Sequence, residues 1–402
     1  MTLNDKQNKI LNISILIFLG ISFISSQLSV AVSSIGVVGL IILFLIKIIT
    51  GKKPLYYDKT LLFLLLTFFL WQIVSSVFSN DPASSLIDTL KKVSLFFIVI
   101  CSISVIESKE QIKKLLTALF IFSILVSTYE DIKYIIDFRA QDKLSLGDFR
   151  LSYFGYPITL GEIKMLILIL IVPFILSKEK FLFNKWVLII ITIPILLSLY
   201  FTNSRNALLG LFIGLVIIGI MKHRYFLIGL ILTVFLFLYF APVNVKERIV
   251  SIIDITHPSN AIRFKMWETG LQMMKDKPVT GFGDVDFLSI YKKYKQPESY
   301  AEGVHMHNNI LHITLLYGIT GLLIWLALMI YIFLNQIRAY QKFKKDEFWN
   351  IILISSITAM FAFQVSGLTE WNFCDAEFAV LLWFIFSFPF ISNRLMMSEN
   401  NG

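Results

Sequence analysis

Long apolar runs dominate the chain, and short polar breaks separate them. Residues 60–77, 165–176, 186–200 and 226–240 are predominantly Leu, Ile, Val and Phe. Such runs approach or reach the roughly 20 residues a helix needs to cross a bilayer. A membrane β-barrel would need short alternating segments instead. The runs predict an all-α, polytopic membrane protein of about twelve transmembrane helices, over residues 10–28, 30–48, 60–79, 91–107, 113–134, 157–177, 184–201, 205–221, 224–241, 308–336, 348–367 and 376–393. The whole chain, 1–402, reads as one integral membrane domain. Two connections are longer than the rest. One lies near residues 134–156; the other, 242–306 between spans nine and ten, is expected to carry short amphipathic helices. No internal repeat of spans is visible.

Composition agrees with this pattern. The chain is 56% hydrophobic and 16% charged, with a mean hydropathy of +0.75, more apolar surface than a soluble domain of this size can bury. The first run follows Lys6 and Lys9 but lacks a small-x-small cleavage site and leads at once into a second span, so it reads as an uncleaved anchor. Cys101 and Cys374 are isolated and make neither a disulfide framework nor a metal cluster.

Charge orients the spans. With the N-terminus inside, the inner connections hold Lys47, Lys52, Lys53 and Lys59, then Lys109, Lys113 and Lys114, then Lys178, Lys180 and Lys185, then Lys222 and Arg224, then Arg338, Lys342, Lys344 and Lys345. The short outer connections near Ser25, Asp81 and Trp371 hold almost no Lys or Arg. This asymmetry predicts both termini in the cytoplasm. The net charge of +9 is then a topology signal suited to an anionic leaflet. It does not argue for nucleic acid, since no basic stripe is interleaved with stacking aromatics.

Chemistry-bearing residues gather toward the outer side. In "TNSRNALLG", Arg205 is expected in the first turn of a helix, where free N–H groups and the guanidinium suit a phosphate; snorkelling to the headgroups is the alternative. Ser259 or Asn260 is expected to cap a surface helix ending before Pro278, with Ile262, Met266, Leu271 and Met274 on its apolar face. Arg263 and Trp267 share a side of it, which suits a sugar phosphate or an interfacial anchor. Lys91 and Lys92 open the fourth span, Glu162 and Lys164 lie in the sixth, and Glu370, Asp375 and Glu377 flank the last outer turn. Ionisable groups in spans are costly and are usually functional or paired, Glu162 with Lys164 for instance.

"HMHNNILH" holds three of the chain's five histidines, His305, His307 and His312. If the stretch is helical, residues two apart point in different directions, so one metal does not easily take all three. A general base is the better reading, because imidazole titrates near neutrality. His307 stands at the outer end of the tenth span, within reach of a hydroxyl substrate. His312, a turn deeper, reads as a bundle residue.

His307-Asn308, nine residues, then Gly318-Ile319-Thr320-Gly321 resembles the H-N-x9-G-x-x-G signature of bacterial O-antigen ligases. "TNSR" resembles that family's T-x-S/T-R motif, and "RFKMWETG…KPVTGFG" resembles an R-x3-W…P-x-x-G-x-G stretch shared across the ligase and polymerase superfamily. The motifs cover residues 200–325, the topology the whole chain. The resemblance implies an inner-membrane enzyme that moves O-antigen glycan from undecaprenyl diphosphate to a sugar hydroxyl of lipid A–core at the periplasmic face. It implies no cofactor, neither ATP nor metal, and inversion at the anomeric carbon. His307 would be the base; Arg205, Arg263 and, by alignment of "IDTLKK", Lys91 would hold the diphosphate; His305, Asn308, Trp267 and Glu370 are supporting candidates. A polymerase joining two lipid-linked glycans is the alternative within the superfamily. A flippase fits less well, because transporters tend to show repeats and midplane polar sites.

Overall fold

The computed structural model describes residues 5–50, 56–140, 149–178, 183–241, 246, 254, 258–295 and 305–400, and no strand occurs among them. Ten helices run to the end of the second connection's upstream side: α1 (Asp5–Ile24), α2 (Val30–Thr50), α3 (Lys59–Val77), α4 (Pro82–Val93), α5 (Phe96–Val105), α6 (Lys109–Arg139), α7 (Pro157–Ile175), α8 (Lys185–Thr202), α9 (Arg205–Lys222) and α10 (Arg224–Phe240). After it come α11 (Pro258–Asp276), α12 (Phe287–Tyr294), α13 (Asn309–Phe343), α14 (Glu347–Ser366), α15 (Ala376–Phe386) and α16 (Phe388–Asn400). Among the described residues, ten helical segments are long and apolar enough to cross a membrane, α15 and part of α16 counting as one.

Two of the predicted spans are not among these ten segments. The fourth, 91–107, is two helices: amphipathic α4, capped by Asp81 and opened by Pro82, and apolar α5 of 10 residues. The predicted span crossed that junction because Lys91 and Lys92 end one helix rather than begin the next. The ninth, α10, is 17 residues long. The parts of the 134–156 and 242–306 connections at 141–148, 242–245, 247–253, 255–257 and 296–304 lie outside the described residues.

Burial sorts the helices. α7, α14 and the α15–α16 pair form the centre, most of their length covered by other helices, while the α1–α2 hairpin lies at the edge. Exposed Ile49, Ile190 and Phe235 show where outer helices turn apolar side chains away from the bundle; in a bilayer this surface faces lipid, not water. The bundle also has two chemically distinct ends. At one, Lys109 pairs with Asp346, Lys222 pairs with Glu347, and Asn12 meets Glu107. At the other, Lys277 reaches the turn after α3, and Thr159 bonds Asp375 before α15. Connections predicted to share a side therefore do meet.

The tenth predicted span is broken. α13 runs 35 residues, but Gly318 inside it has φ 69 and ψ −179, a conformation essentially confined to glycine. The break frees carbonyls of buried Leu315, Leu316 and Tyr317, which water does not reach and protein must satisfy. The turn after α11 does so: Phe282 N–H donates to Leu315 O and Gly283 N–H to Leu316 O, each at 2.8 Å, while Ile319 N–H donates to Pro278 O at 2.8 Å. From α3, Trp71 Nε1 donates to Tyr317 O at 2.8 Å and Ser75 Oγ to Leu316 O at 2.7 Å. Gly281 (φ 67) packs its Cα where a side chain would meet Leu316 backbone at 2.5 Å. The P-x-x-G-x-G and G-x-x-G motifs are thus two halves of one joint, which fixes the extramembrane segment onto the helix that follows His307.

Candidate active site

His305 and His307 precede α13 and are not helical. His307 has φ 47, and this left-handed turn folds the two rings together, centroids 4.3 Å apart. The expectation that their side chains diverge assumed a helix and is corrected by this turn. Asn308 explains the next motif position: its Oδ1 accepts the Leu311 N–H at 2.9 Å, capping α13, and its Nδ2 donates to Leu368 O at 3.0 Å. The cap therefore ties the start of α13 to the connection carrying Glu370.

Glu370 is the hub. Its carboxylate lies 2.9 and 3.1 Å from His307 Nδ1, 3.5 Å from His305 Nδ1 and 3.9 Å from an Arg263 guanidinium nitrogen. Burial disfavours its charge, but the His307 hydrogen bond, the His307 and His305 charges and the Trp371 N–H outweigh that, holding the carboxyl below the usual glutamate range. A carboxylate at Nδ1 selects the tautomer with the proton there and leaves Nε2 as a base. His305 is pushed down to about 4, chiefly by burial, with the His307 and Arg263 charges adding to it and Glu370 opposing. It is therefore neutral near pH 7, and its Nδ1 accepts the His307 N–H at 3.3 Å. One donor atom from each of His305, His307 and Glu370 lies within 4.8 Å of the others, close enough for a cation.

Trp267 holds α11 over this cluster by donating from Nε1 to Met306 O at 2.8 Å, and Arg263, one turn earlier, thereby faces Glu370. The buried face of α11 is Met266, Thr269 and Met273; of the residues assigned to its apolar face, Met266 is buried, Met274 half-buried, and Ile262 and Leu271 exposed. Positions 266, 269 and 273 form one stripe, and Gly270 beside it allows contact with Met306, Leu311 and Leu315. Ser259 and Asn260 lie inside the helix, which starts at Pro258.

Arg205 opens α9 as expected, after Asn203 in the left-handed C-cap of α8 and Ser204 as N-cap. A buried polar chain joins it to the cluster. Asn206 Nδ2 and Asn372 Nδ2 both donate to Glu162 Oε1, at 2.6 and 2.8 Å. Asn309 Nδ2 donates to Asn372 Oδ1 at 2.7 Å, and Asn372 N–H to Asn309 Oδ1 at 3.0 Å. The residue after Arg205, the second after His307 and the second after Glu370 thus meet in one network. Asn206, Asn309 and Asn372 were not legible beforehand, because a buried asparagine beside a motif looks like a loop asparagine in a single sequence. Glu162 does not pair with Lys164; on a helix two residues apart they diverge, and Lys164 reaches buried Glu130 at 2.8 Å. Removing one partner of that pair would cost roughly 3–5 kcal/mol.

Lys91 stands apart. It is 70% exposed and pairs with Asp88, whereas Lys92 turns inward to Asp284 at 2.6 Å, beside the docked turn. His312 is buried between the rings of Trp371 and Phe287.

A helical membrane protein with an imidazole–carboxylate pair and an arginine at one end of its bundle is the class defined by fold and site. Residues 186–326 match the O-antigen ligase family, over the stretch that holds Arg205, Arg263, His307 and both glycine motifs. A protein of Rickettsia bellii named "Putative polysaccharide ligase" is 25% identical over 285 residues, covering 66% of this chain and 66%, just under two thirds, of its own length. Proteins of the same designation from Rickettsia typhi and Rickettsia prowazekii are 26% identical over 313 residues (73% of each chain) and 27% identical over 289 residues (68% of this chain, 67% of that one). The resemblance drawn from the motifs is borne out, and a function of the ligase and polymerase type is supported.

Proposed function

We propose that the chain transfers O-antigen glycan from undecaprenyl diphosphate to a sugar hydroxyl of lipid A–core, at the periplasmic face of a bacterial inner membrane, with both termini cytoplasmic. The observation that carries this reading is the His307–Glu370 pair with Arg263 beside it, His307 and Arg263 lying inside the family-matched stretch and Glu370 beyond it. His307 Nε2 takes the acceptor's hydroxyl proton while that oxygen attacks the donor's anomeric carbon. The bond from this carbon to the diphosphate oxygen breaks, and its electron pair leaves with the diphosphate. Arg205 and Arg263 hold the charge that builds there, in surroundings where such contacts are stronger than in water. Glu370 keeps the imidazole oriented and stabilises its cation. Direct displacement by one activated hydroxyl inverts the anomeric centre.

An Arg205→Ala strain is expected to lose long-chain lipopolysaccharide on a gel and to accumulate lipid-linked glycan, with in vitro transfer down about 10²–10³-fold. Normal long bands would remove Arg205 from the mechanism. Deletion of the gene separates the two activities: loss of every band above the core means ligase, and a single repeat unit left on the core means polymerase. No metal takes part in this reading, so EDTA is expected to leave the purified enzyme's rate unchanged. Added Zn²⁺ is expected to stop it by taking His307 and Glu370 as ligands. A rate lost on chelation and restored by a divalent ion would overturn metal independence.

A further inference from the structure

A second feature lies far from His307, at the basic end of the bundle. A half-open groove of about 1320 Å³ runs between α1, α2 and α6. It exceeds the ~300–1,000 Å³ of ordinary small-molecule pockets. Its wall is apolar for most of its length, through Ile13, Leu16, Ile17, Ile24, Val32 and Phe122. From the level of Lys9 to that of Ile24 the wall spans about 22 Å at 1.5 Å per residue, more than half of the ~30 Å hydrocarbon core.

The charged lining is confined to one end. Lys9, Lys47, Lys114 and Arg394 line it there, against a single carboxylate, Glu107. The ion pairs formed among described residues at that end take Lys109, Lys113 and Lys222 instead. Glu107 accepts from Asn12 at 3.1 Å, and Arg394 donates to Ile106 O, so the ends of α1 and α16 are held around the charges. A soluble anion would have no use for the apolar wall, and a neutral lipid would leave four cations facing one acid. An amphiphile with an anionic head and long chains satisfies both.

We infer that this groove is a binding site for an anionic phospholipid, its phosphate among Lys9, Lys47, Lys114 and Arg394 and its acyl chains along α1 and α6. The lipid fills the gap between the edge hairpin α1–α2 and the body of the bundle. Basic pockets between membrane helices on the positive side are suited to such head groups. The site is independent of the glycan-transfer reading, since none of its residues belongs to the His307 cluster.

The test is native mass spectrometry of the full chain in detergent, titrated with phosphatidylglycerol and with phosphatidylcholine of identical chains. Phosphatidylglycerol is expected to be retained about tenfold more tightly. The Lys9→Gln/Lys47→Gln/Lys114→Gln variant is expected to lose that preference. Glu107→Gln, which keeps an acceptor for Asn12, is expected to increase it several-fold, a gain that misfolding does not mimic. Equal retention of the two lipids by the wild-type chain would overturn the proposal, as would a triple variant with undiminished preference or a Glu107→Gln variant with a reduced one.

Discussion

Replacing His307 with alanine is expected to lower the rate of glycan transfer by about 10²–10⁴-fold, the range lost when a positioned general base is removed. The loss should appear in kcat, with KM for the lipid-linked donor little changed, because the imidazole acts on the acceptor hydroxyl only as the transition state forms. Glu370→Gln sharpens the test. The amide oxygen can still accept the Nδ1 proton, but the negative charge that stabilises the imidazolium is gone, so kcat should fall while the fold is kept. Glu370 also lies 3.9 Å from Arg263, and freeing that guanidinium should leave donor affinity intact or raise it. Purified protein with a reconstituted donor and acceptor supplies both constants. A His307→Ala enzyme with wild-type kcat would end the base assignment, and a Glu370→Gln enzyme that loses donor binding but not kcat would move Glu370 from the base to the substrate pocket.

The second large effect concerns the joint. A Cβ at Gly318 would stand 1.9 Å from Val279 O and 2.2 Å from Val279 C, both backbone atoms of the docked turn. Alanine there must also adopt a φ of 69, at about 1–3 kcal/mol, and the overpacking adds about 1–3 kcal/mol. Against a typical stability of roughly 5–15 kcal/mol, Gly318→Ala is expected to lower the melting temperature sharply or to yield no folded protein. Gly229→Ala is the comparison, since nothing lies within 4 Å of its Cβ position; it should leave the melting temperature unchanged or slightly raised. Equal melting temperatures for the two variants would mean that the break in α13 is not held by the turn.

Much of the bundle was legible because a bilayer leaves little choice: apolar runs of this length must be helices, and lysines collect at one set of connections. What was not legible depends on local departures from helix. Lys91 and Lys92 seemed to open a span because the break after α4 has no proline or glycine to mark it. His305 and His307 seemed to diverge because only the left-handed backbone at His307 brings them together, and nothing in "HMHNN" announces a positive φ. Glu370 stood out as a charge near an outer turn, but its distance of 63 residues from His307 along the chain concealed that they touch. Arg205 and Arg263 were legible as types and positions. The asparagines that join their surroundings were not, because their role exists only once three helices and the connection carrying Glu370 meet.

The joint between the turn and α13 has a mechanical consequence. α11 is clamped at Trp267 and, beyond Asp276, again at the docked turn, and Arg263 lies outboard of both clamps. Lifting the whole helix would break a backbone latch in apolar surroundings, whereas tilting its outboard end about Trp267 breaks no part of that latch. An outward tilt of α11 that parted Arg263 from Glu370 would therefore turn about an indole.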